Sequence, residues 1–391
     1  MERVKKINMS YPLFKPTYRV DECLKEIREC LESGWTGAGF KTDQFEEAWK
    51  QFTGFPHAHF LASATAGLHL AIHILKSACS WNDQDEVITT PFTFVSTNHV
   101  LLHCRLKPVF ADIDASLCLD PASIEERITP RTRAVLFVGI GGNCGQYRQV
   151  RALCQRHGLK LILDAAHMSG TYIDGQHAGL DADAAVFSFH AVKNLPTADG
   201  GMLCLPQKEL DERARSLAWL GIDSSTYART SRGGYRWGYN VQEAGFKYHG
   251  NSIMASLALV GLRYLQADNH QRRQIAAWYR EALKDIAGLR MIPVPEHCIS
   301  STHLFQIRVP QRDRVLAELT ARGISAGMHY QVNTSFTMYA EAQGSCPEAE
   351  RASREVISLP MVVSMQESDT RAIATALREI LAALPARAKS E

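Results

Sequence analysis

The chain has 391 residues, of which 46% are apolar and 21% charged, and its net charge is +2. This length suits one large domain plus a smaller one, and the composition is that of an ordinary globular enzyme. The near balance of charge offers no basic field to a nucleic acid, and no apolar run approaches the ~20 residues of a membrane span. Ten scattered cysteines form no Cys-x-x-Cys pair and no metal-ligand spacing. With no secretory signal pattern in residues 1–11, they read as reduced thiols of a cytoplasmic protein without a metal site.

Taken in order, the chain is irregular up to Pro16. Asp21 then caps a helix with an apolar face of Leu24, Ile27 and Leu31, stopped near Gly34. After the glycine-rich Trp35–Gly39 comes a second amphipathic helix carrying Phe45, Ala48, Trp49 and Phe52. A short strand at 59–62 leads into Ser63-Ala-Thr65, which opens a helix with Leu68, Ala71, Ile72 and Leu75 on its apolar face. Such a helix start, with free N–H groups and a positive dipole end, is a ready anion site, although an ordinary capped helix looks the same. Strands are expected at 87–90, 107–111, 134–138 and 161–163, with helices at 121–128 and 150–157 between them. The segment Pro91–Thr97 leads into a further helix. This alternation, with continuous apolar runs in the strands, predicts a mainly parallel sheet covered by helices on both faces.

The strand Ala185-Val-Phe187 ends in the polar residues Ser188 and His190, and Lys193 follows in a segment closed by Gly200-Gly201. A lysine among apolar and small residues feels desolvation, which disfavours the ammonium and frees the amine as a nucleophile. That is the requirement for a Schiff-base lysine. By itself a lysine after a strand is an ordinary surface residue. It gains weight because Asp164 stands just past the carboxyl end of the strand at 161–163, where open α/β sheets place their ligands. An acid upstream of such a lysine suggests pyridoxal 5'-phosphate (PLP), whose pyridinium nitrogen needs an acid opposite it. Ala64 and Thr65 at the helix start, together with Ser188, are candidates for its phosphate, and Phe94 for its ring. Phe94 in such a context is more often plain core, and an Asp after a strand such as Asp164 commonly caps the next helix.

Residues 202–205 read as a strand returning to the sheet, and 222–250, rich in Ser, Gly, Arg and Tyr, as a long functional or interface loop. Helices follow at 253–265 and 271–286. A strand at 303–309, a helix at 315–322, the segment 324–330 and a helix at 369–384 make a smaller C-terminal unit.

These motifs resemble those of the PLP-dependent sugar aminotransferases of the DegT/StrS type, a branch of the fold type I aminotransferases. The resemblance runs from Ser33-Gly-Trp35 to Ser358-Leu-Pro360. It implies an α/β fold with a large PLP-binding domain over residues 1–250, built on a mainly parallel mixed sheet, and a smaller α+β domain over 251–391. Ser63–Gly67 resembles the family's phosphate-binding helix start, and Thr93–Thr97 its ring-stacking segment. Asp164-Ala-Ala-His167 resembles the acid that meets the pyridine nitrogen plus a residue beside the cofactor's phenolic oxygen. Ser188-Phe-His-Ala-Val-Lys193-Asn194 resembles the signature lysine motif, the most specific of the set. The wording of the cofactor site is close to that of members that aminate a UDP-4-keto-pentose, a likeness that leaves the substrate open.

Three places depart from the family pattern. Val138-Gly139 stands where a histidine is common, so the pocket wall there is expected to be smaller. Lys247 and His249 occupy positions where the family offers Asn or Arg to the neighbouring subunit's phosphate. His329-Tyr330 keeps the first histidine of a substrate-binding pattern, while Thr334 replaces the second. The resemblance implies a homodimer with shared active sites, in which His329, Tyr330 and Asn194 meet the substrate. The implied reaction moves an amino group from an amino-acid donor, L-glutamate, to a keto sugar, nucleotide-linked, in amino-sugar biosynthesis. A sugar dehydratase of the same family is the first alternative, but those carry His where Lys193 stands. A non-catalytic PLP-binding regulator is the second.

Overall fold

The computed structural model describes residues 11–223 and 238–384. Thirteen strands are present among them: β1 (His57–Leu61), β2 (Glu86–Thr89), β3 (Lys107–Phe110), β4 (Thr132–Val138), β5 (Lys160–Asp164), β6 (Tyr172–Ile173), β7 (Gln176–His177), β8 (Ala184–Ser188), β9 (Gly201–Leu205), β10 (Arg290–Met291), β11 (Cys298–Ile299), β12 (Phe305–Arg308) and β13 (Val356–Leu359). Seven form the main sheet in the order β1-β9-β8-β5-β4-β2-β3. Only β9 runs against its neighbours. β10-β12-β13 and β11-β6-β7 are small sheets of three.

Alternate residues of the central strands point to opposite faces, and both faces are buried. Leu161, Leu163, Ala185 and Phe187 join one core with Phe45 and Trp49 of the helix Phe40–Thr53. Ile162, Ala184 and Val186 join the other with Leu68, Ile72 and Leu75 of the helix Ala64–Ala78. The Trp49 ring meets Phe187 edge-on at 5.0 Å, and Phe45 meets Phe60 edge-on at 5.1 Å. Two-sided burial explains why these strands read as continuous apolar runs. Each enclosed Leu, Ile or Phe contributes roughly 1.5–3 kcal/mol.

The structure departs from the sequence expectation in several places. The first helix runs Val20–Glu32, but it buries Cys23 and Cys30 while Leu24 and Leu31 stay 57% and 63% exposed. Polar contacts set that rotation: Arg19 grips Asp268 through two bonds of 2.7 and 2.8 Å, and Cys30 Sγ faces Ser256 Oγ. The helices expected at 253–265 and 271–286 are one helix, Ser252–Leu283. Its polar middle is no break, because Asp268 is held by Arg19 and Asn269 donates to Ser169 O at 2.9 Å. The first half of this helix packs in the core around the sheet, and the second half, with Ile275, Tyr279 and Leu283, in a separate core with Phe305, Ile357 and Ile373. Tyr11 and Leu13 hydrogen-bond to Gly323 and Met361, tying the start of the described chain to that second core. The helices Lys208–Ala218 and Pro347–Glu355, and strand β13, are not anticipated by the sequence reading. Part of the expected loop at 222–250 lies outside the described residues.

Glycine is required where β9 meets the helix start. Gly201 pairs with Leu61 on one side and Ser188 on the other, and an added Cβ would sit 2.5 Å from Ala64 N. We expect Gly201→Ala to push the start of the helix Ala64–Ala78 off the sheet and cost about 1–3 kcal/mol. A lowered urea midpoint for the cofactor-free protein would show it. An unchanged midpoint would mean that the helix start yields freely.

Candidate active site

A parallel sheet ends its strands on one edge, and here that edge gathers the polar residues of the chain. Asp164 closes β5 and Ser188 closes β8, the strand hydrogen-bonded beside it. A cavity of about 480 Å³ opens there, lined among others by Ala64, Thr65, Phe94, Asp164, His167, Ser188, Lys193, His329 and Tyr330.

Asp164 is buried. Thr97 Oγ1 donates to its Oδ2 at 2.8 Å and the Ala166 N–H to its Oδ1 at 3.1 Å, while the Thr93 hydroxyl lies 3.0 Å from that of Thr97. Burial raises the carboxyl's pKa, against the two hydrogen bonds and the Lys193 charge, which lower it. Lys193 shows the converse: burial lowers its ammonium to about 8, opposed by Asp164. Half of such a group is a neutral amine near pH 8, which an ordinary surface lysine is not.

The other walls are neutral. The Gly141 N–H donates to His167 Nδ1 at 3.1 Å, so the ring proton sits on Nε2, facing Tyr330 Oη at 3.1 Å. Burial, and then the Lys193 and His329 charges, hold His167 well below the usual histidine range. His329, with Nδ1 2.9 Å from Ser358 Oγ, is lowered to about 4 by burial and then Lys193. Burial pushes the Tyr330 phenol well above its ordinary value. The cavity therefore sets the convertible cation of Lys193 and the carboxylate of Asp164 against the hydrogen-bonding rings of His167, His329 and Tyr330, with Asp199 a second carboxylate in its lining.

The anion cradle is local. Ser63 Oγ accepts from Ala66 N and Ser63 O from Gly67 N, both at 3.1 Å. The N–H groups of residues 64 and 65 are left without intrahelical partners. With buried Ser188 beside them, they suit a phosphate. PLP fits these residues. The buried carboxylate suits a protonated ring nitrogen, Lys193 supplies the amine, and the cradle stays open because residue 201 has no side chain.

Not every candidate sits inside this cavity. Phe94, 58% exposed, lies at its lip with its ring 6.1 Å from that of Tyr330. Asn194 is buried away from it: its Nδ2 donates to Asn269 Oδ1 and Ser301 O, both at 2.8 Å, and its Oδ1 accepts from His303 Nδ1 at 3.0 Å. Lys247 is exposed and rests over the Trp219 ring at 3.4 Å, and His249 turns inward against that ring. Neither lines the cavity of its own chain. Thr334 is buried 3.5 Å from Glu350. The smaller wall expected at Gly139 is filled by Met168, whose Sδ would lie 2.0 Å from a Cβ there.

Sequence reasoning missed the supporting roles of Thr93 and Thr97. Thr93 precedes the helix Ser96–His103, so helical spacing does not link the two, and the run of hydroxyls at 93, 96 and 97 was the usable signal. It also missed His303, whose ring lies 4.4 Å from His167 and 5.6 Å from Phe14. Nothing local marks that residue.

With its lysine and acid at the carboxyl edge of a helix-covered sheet, the site has the layout of a PLP enzyme. Residues 18–378 match the DegT/DnrJ/EryC1/StrS aminotransferase family, and the chain belongs to it. It is an aminotransferase of fold type I with PLP as cofactor. Among similar solved structures is the aminotransferase TlmJ from Streptoalloteichus hindustanus, 32% identical, with a TM-score of 0.87 over 95% of this chain and 99% of that one. PseC from Helicobacter pylori, an aminotransferase involved in the biosynthesis of pseudoaminic acid, is 28% identical, with a TM-score of 0.87 over 96% and 100%. DesI, solved in the presence of its TDP-sugar product, is 28% identical, with a TM-score of 0.84 over 96% and 95%.

The lowered pKa of Lys193 makes a prediction for the cofactor-free protein. The neutral amine is the nucleophile, so the rate of covalent PLP capture should rise about tenfold per pH unit below pH 8 and level off above it. Stopped-flow absorbance at several pH values reads this directly. A rise continuing unchanged to pH 10 would place Lys193 in water-like surroundings.

Proposed function

We propose that the protein transfers an amino group from L-glutamate to the keto group of a nucleotide-linked sugar. The observation that carries the reading is Lys193 and Asp164 sharing one cavity beside a helix start that suits a phosphate. The sugar class is supported by the relatives above, and the nucleotide carrier by the TDP-sugar product of DesI. Glutamate is the donor that the family resemblance implies.

Bound PLP supplies an electron sink for the pair released when a C–H bond next to nitrogen breaks. Asp164 is placed to keep a proton on the ring nitrogen, with Thr97 and Ala166 holding the carboxylate in position. Lys193 would hold the cofactor covalently, and its Nζ, when free, would accept the donor's α-proton and return it. A pKa near 8 suits both directions of that transfer at neutral pH. His167, fixed as the Nε2–H tautomer by Gly141, and Tyr330 orient the groups facing the ring. His329, neutral at that pH, would meet the sugar, as the family resemblance implies. The dehydratase alternative is disfavoured by Lys193 itself, and the regulator by a site that retains both the amine and the acid.

The test is a single-turnover reaction. Wild-type protein loaded as the amine form should transfer nitrogen to at least one member of a panel of nucleotide-linked keto sugars, with its absorbance returning to that of the PLP form. Lys193→Ala should fold normally and lose turnover by about 10³-fold or more. Full turnover by that variant, or transfer to simple keto acids alone, would refute the reading.

We also propose that the enzyme is a homodimer whose cofactor phosphate receives a donor from the neighbouring subunit. The support is Lys247: it is exposed, carries no carboxylate partner among the described residues, and sits outside its own cavity. Lys193→Ala and Lys247→Ala/His249→Ala chains would each be inactive alone. In a mixed dimer one site carries both lesions and the other neither. Equal mixing under subunit exchange should therefore restore up to about a quarter of wild-type activity. No recovery after verified exchange would mean that each site is built from one chain.

A further inference from the structure

Behind the cofactor cavity lies a second cleft of about 330 Å³, between the long helix Ser252–Leu283, residues 140–143 and the segment 298–306. The two share a wall. Gly141 lines the cleft and gives its N–H to His167, and Gln306 Nε2 donates to His329 O at 2.6 Å.

Arg273 and Arg280 line this cleft. They stand seven residues apart on one helix, close to two full turns, and so lie on the same face. Each is half-buried, and burial lowers the pKa of both. Arg273 donates to Ser300 O at 3.3 Å, and both Nη atoms of Arg280 reach Ile292 O at 3.4 Å. These bonds occupy a minority of the five N–H donors on each guanidinium. Among the described residues neither arginine has a carboxylate within ion-pair distance. Three other enclosed cations do have such partners: Arg308 pairs with Glu348 and Glu355, Arg215 with Glu46 and Asp211, and Lys41 with Glu26 and Glu29. Buried Arg272 on the same helix donates to Met361 O and feels the Asp268 charge without an ion pair, but it lies outside the cleft lining. Positive charge partly withdrawn from water and lacking a counterion is destabilising, and a bound anion reverses the sign of that contribution. Ile140, Ile292 and Phe305 supply an apolar wall.

We propose that this cleft binds a small organic oxyanion, an apolar body bearing a phosphate or carboxylate, clamped by Arg273 and Arg280. The planar guanidinium fork matches either group, and the volume is that of a small-molecule site. The assignment stands apart from the choice of sugar or donor.

Calorimetric titration of the PLP-loaded full chain, whose own phosphate cradle is then filled, tests it with inorganic phosphate and separately with succinate. At least one probe should bind once per chain, and Arg273→Gln/Arg280→Gln should weaken it tenfold or more. The tighter of the two probes identifies the anion class. Wild-type crystals soaked in sodium selenate give a reading that needs no variant, and an anomalous peak is expected in the cleft against the guanidinium of Arg273 or Arg280. Binding that survives the double substitution, selenate found only elsewhere, or no saturable binding of either probe overturns the proposal.

Discussion

Enclosing Asp164 beneath the sheet's carboxyl edge is unfavourable unless its charge is met on several sides, and much of the architecture meets it. An isolated buried ion costs several kcal/mol, while each hydrogen bond to a charged group returns roughly 1.5–3. Thr97 and Ala166 supply two such bonds and Lys193 the opposing charge. The same enclosure lowers the lysine to about 8. One burial thus prepares both partners, a carboxylate that awaits a proton-bearing ring nitrogen and an amine ready to react.

The support extends outward from that pair. Asn98 donates to Thr90 O and Asn333 Oδ1, and Asn333 donates to Thr93 O, so the strip from Thr90 to Thr97 is stitched to the chain near Tyr330. Asn194 ties the lysine's own segment to Asn269 on the long helix and to Ser301 and His303. The long helix itself contributes to the core around the sheet and to the separate core with Phe305 and Ile357. The cleft holding Arg273 and Arg280 lies along that same helix.

Local pattern carried most of the fold. The strands and helices around the main sheet follow from runs of apolar residues and from cap and glycine signals, and the observed bounds differ from the expected ones by a few residues. The long helix is instructive. Gln266 to His270 reads as a polar interruption, yet no Gly or Pro breaks it, and Arg19 and Ser169 satisfy the buried polar side chains of Asp268 and Asn269. The face of the first helix was misjudged for a related reason, since leucines mark apolarity without saying which surface will cover them.

The sequence by itself determined the order of the chemistry: a capped helix start at Ser63, an acid at the end of one strand, and a serine and lysine after the next. Each depends on residues a few positions apart, and periodicity and capping report on that range. The tertiary structure alone decided which polar groups share a cavity and which are taken up in holding the chain together. It turned Asn194 toward a partner 75 residues away, filled the space at Gly139 with Met168, and left Arg273 and Arg280 without carboxylate partners among the described residues. Those outcomes rest on hydrogen bonds and packing between distant segments, whose energies depend on distances and angles that only the folded chain defines.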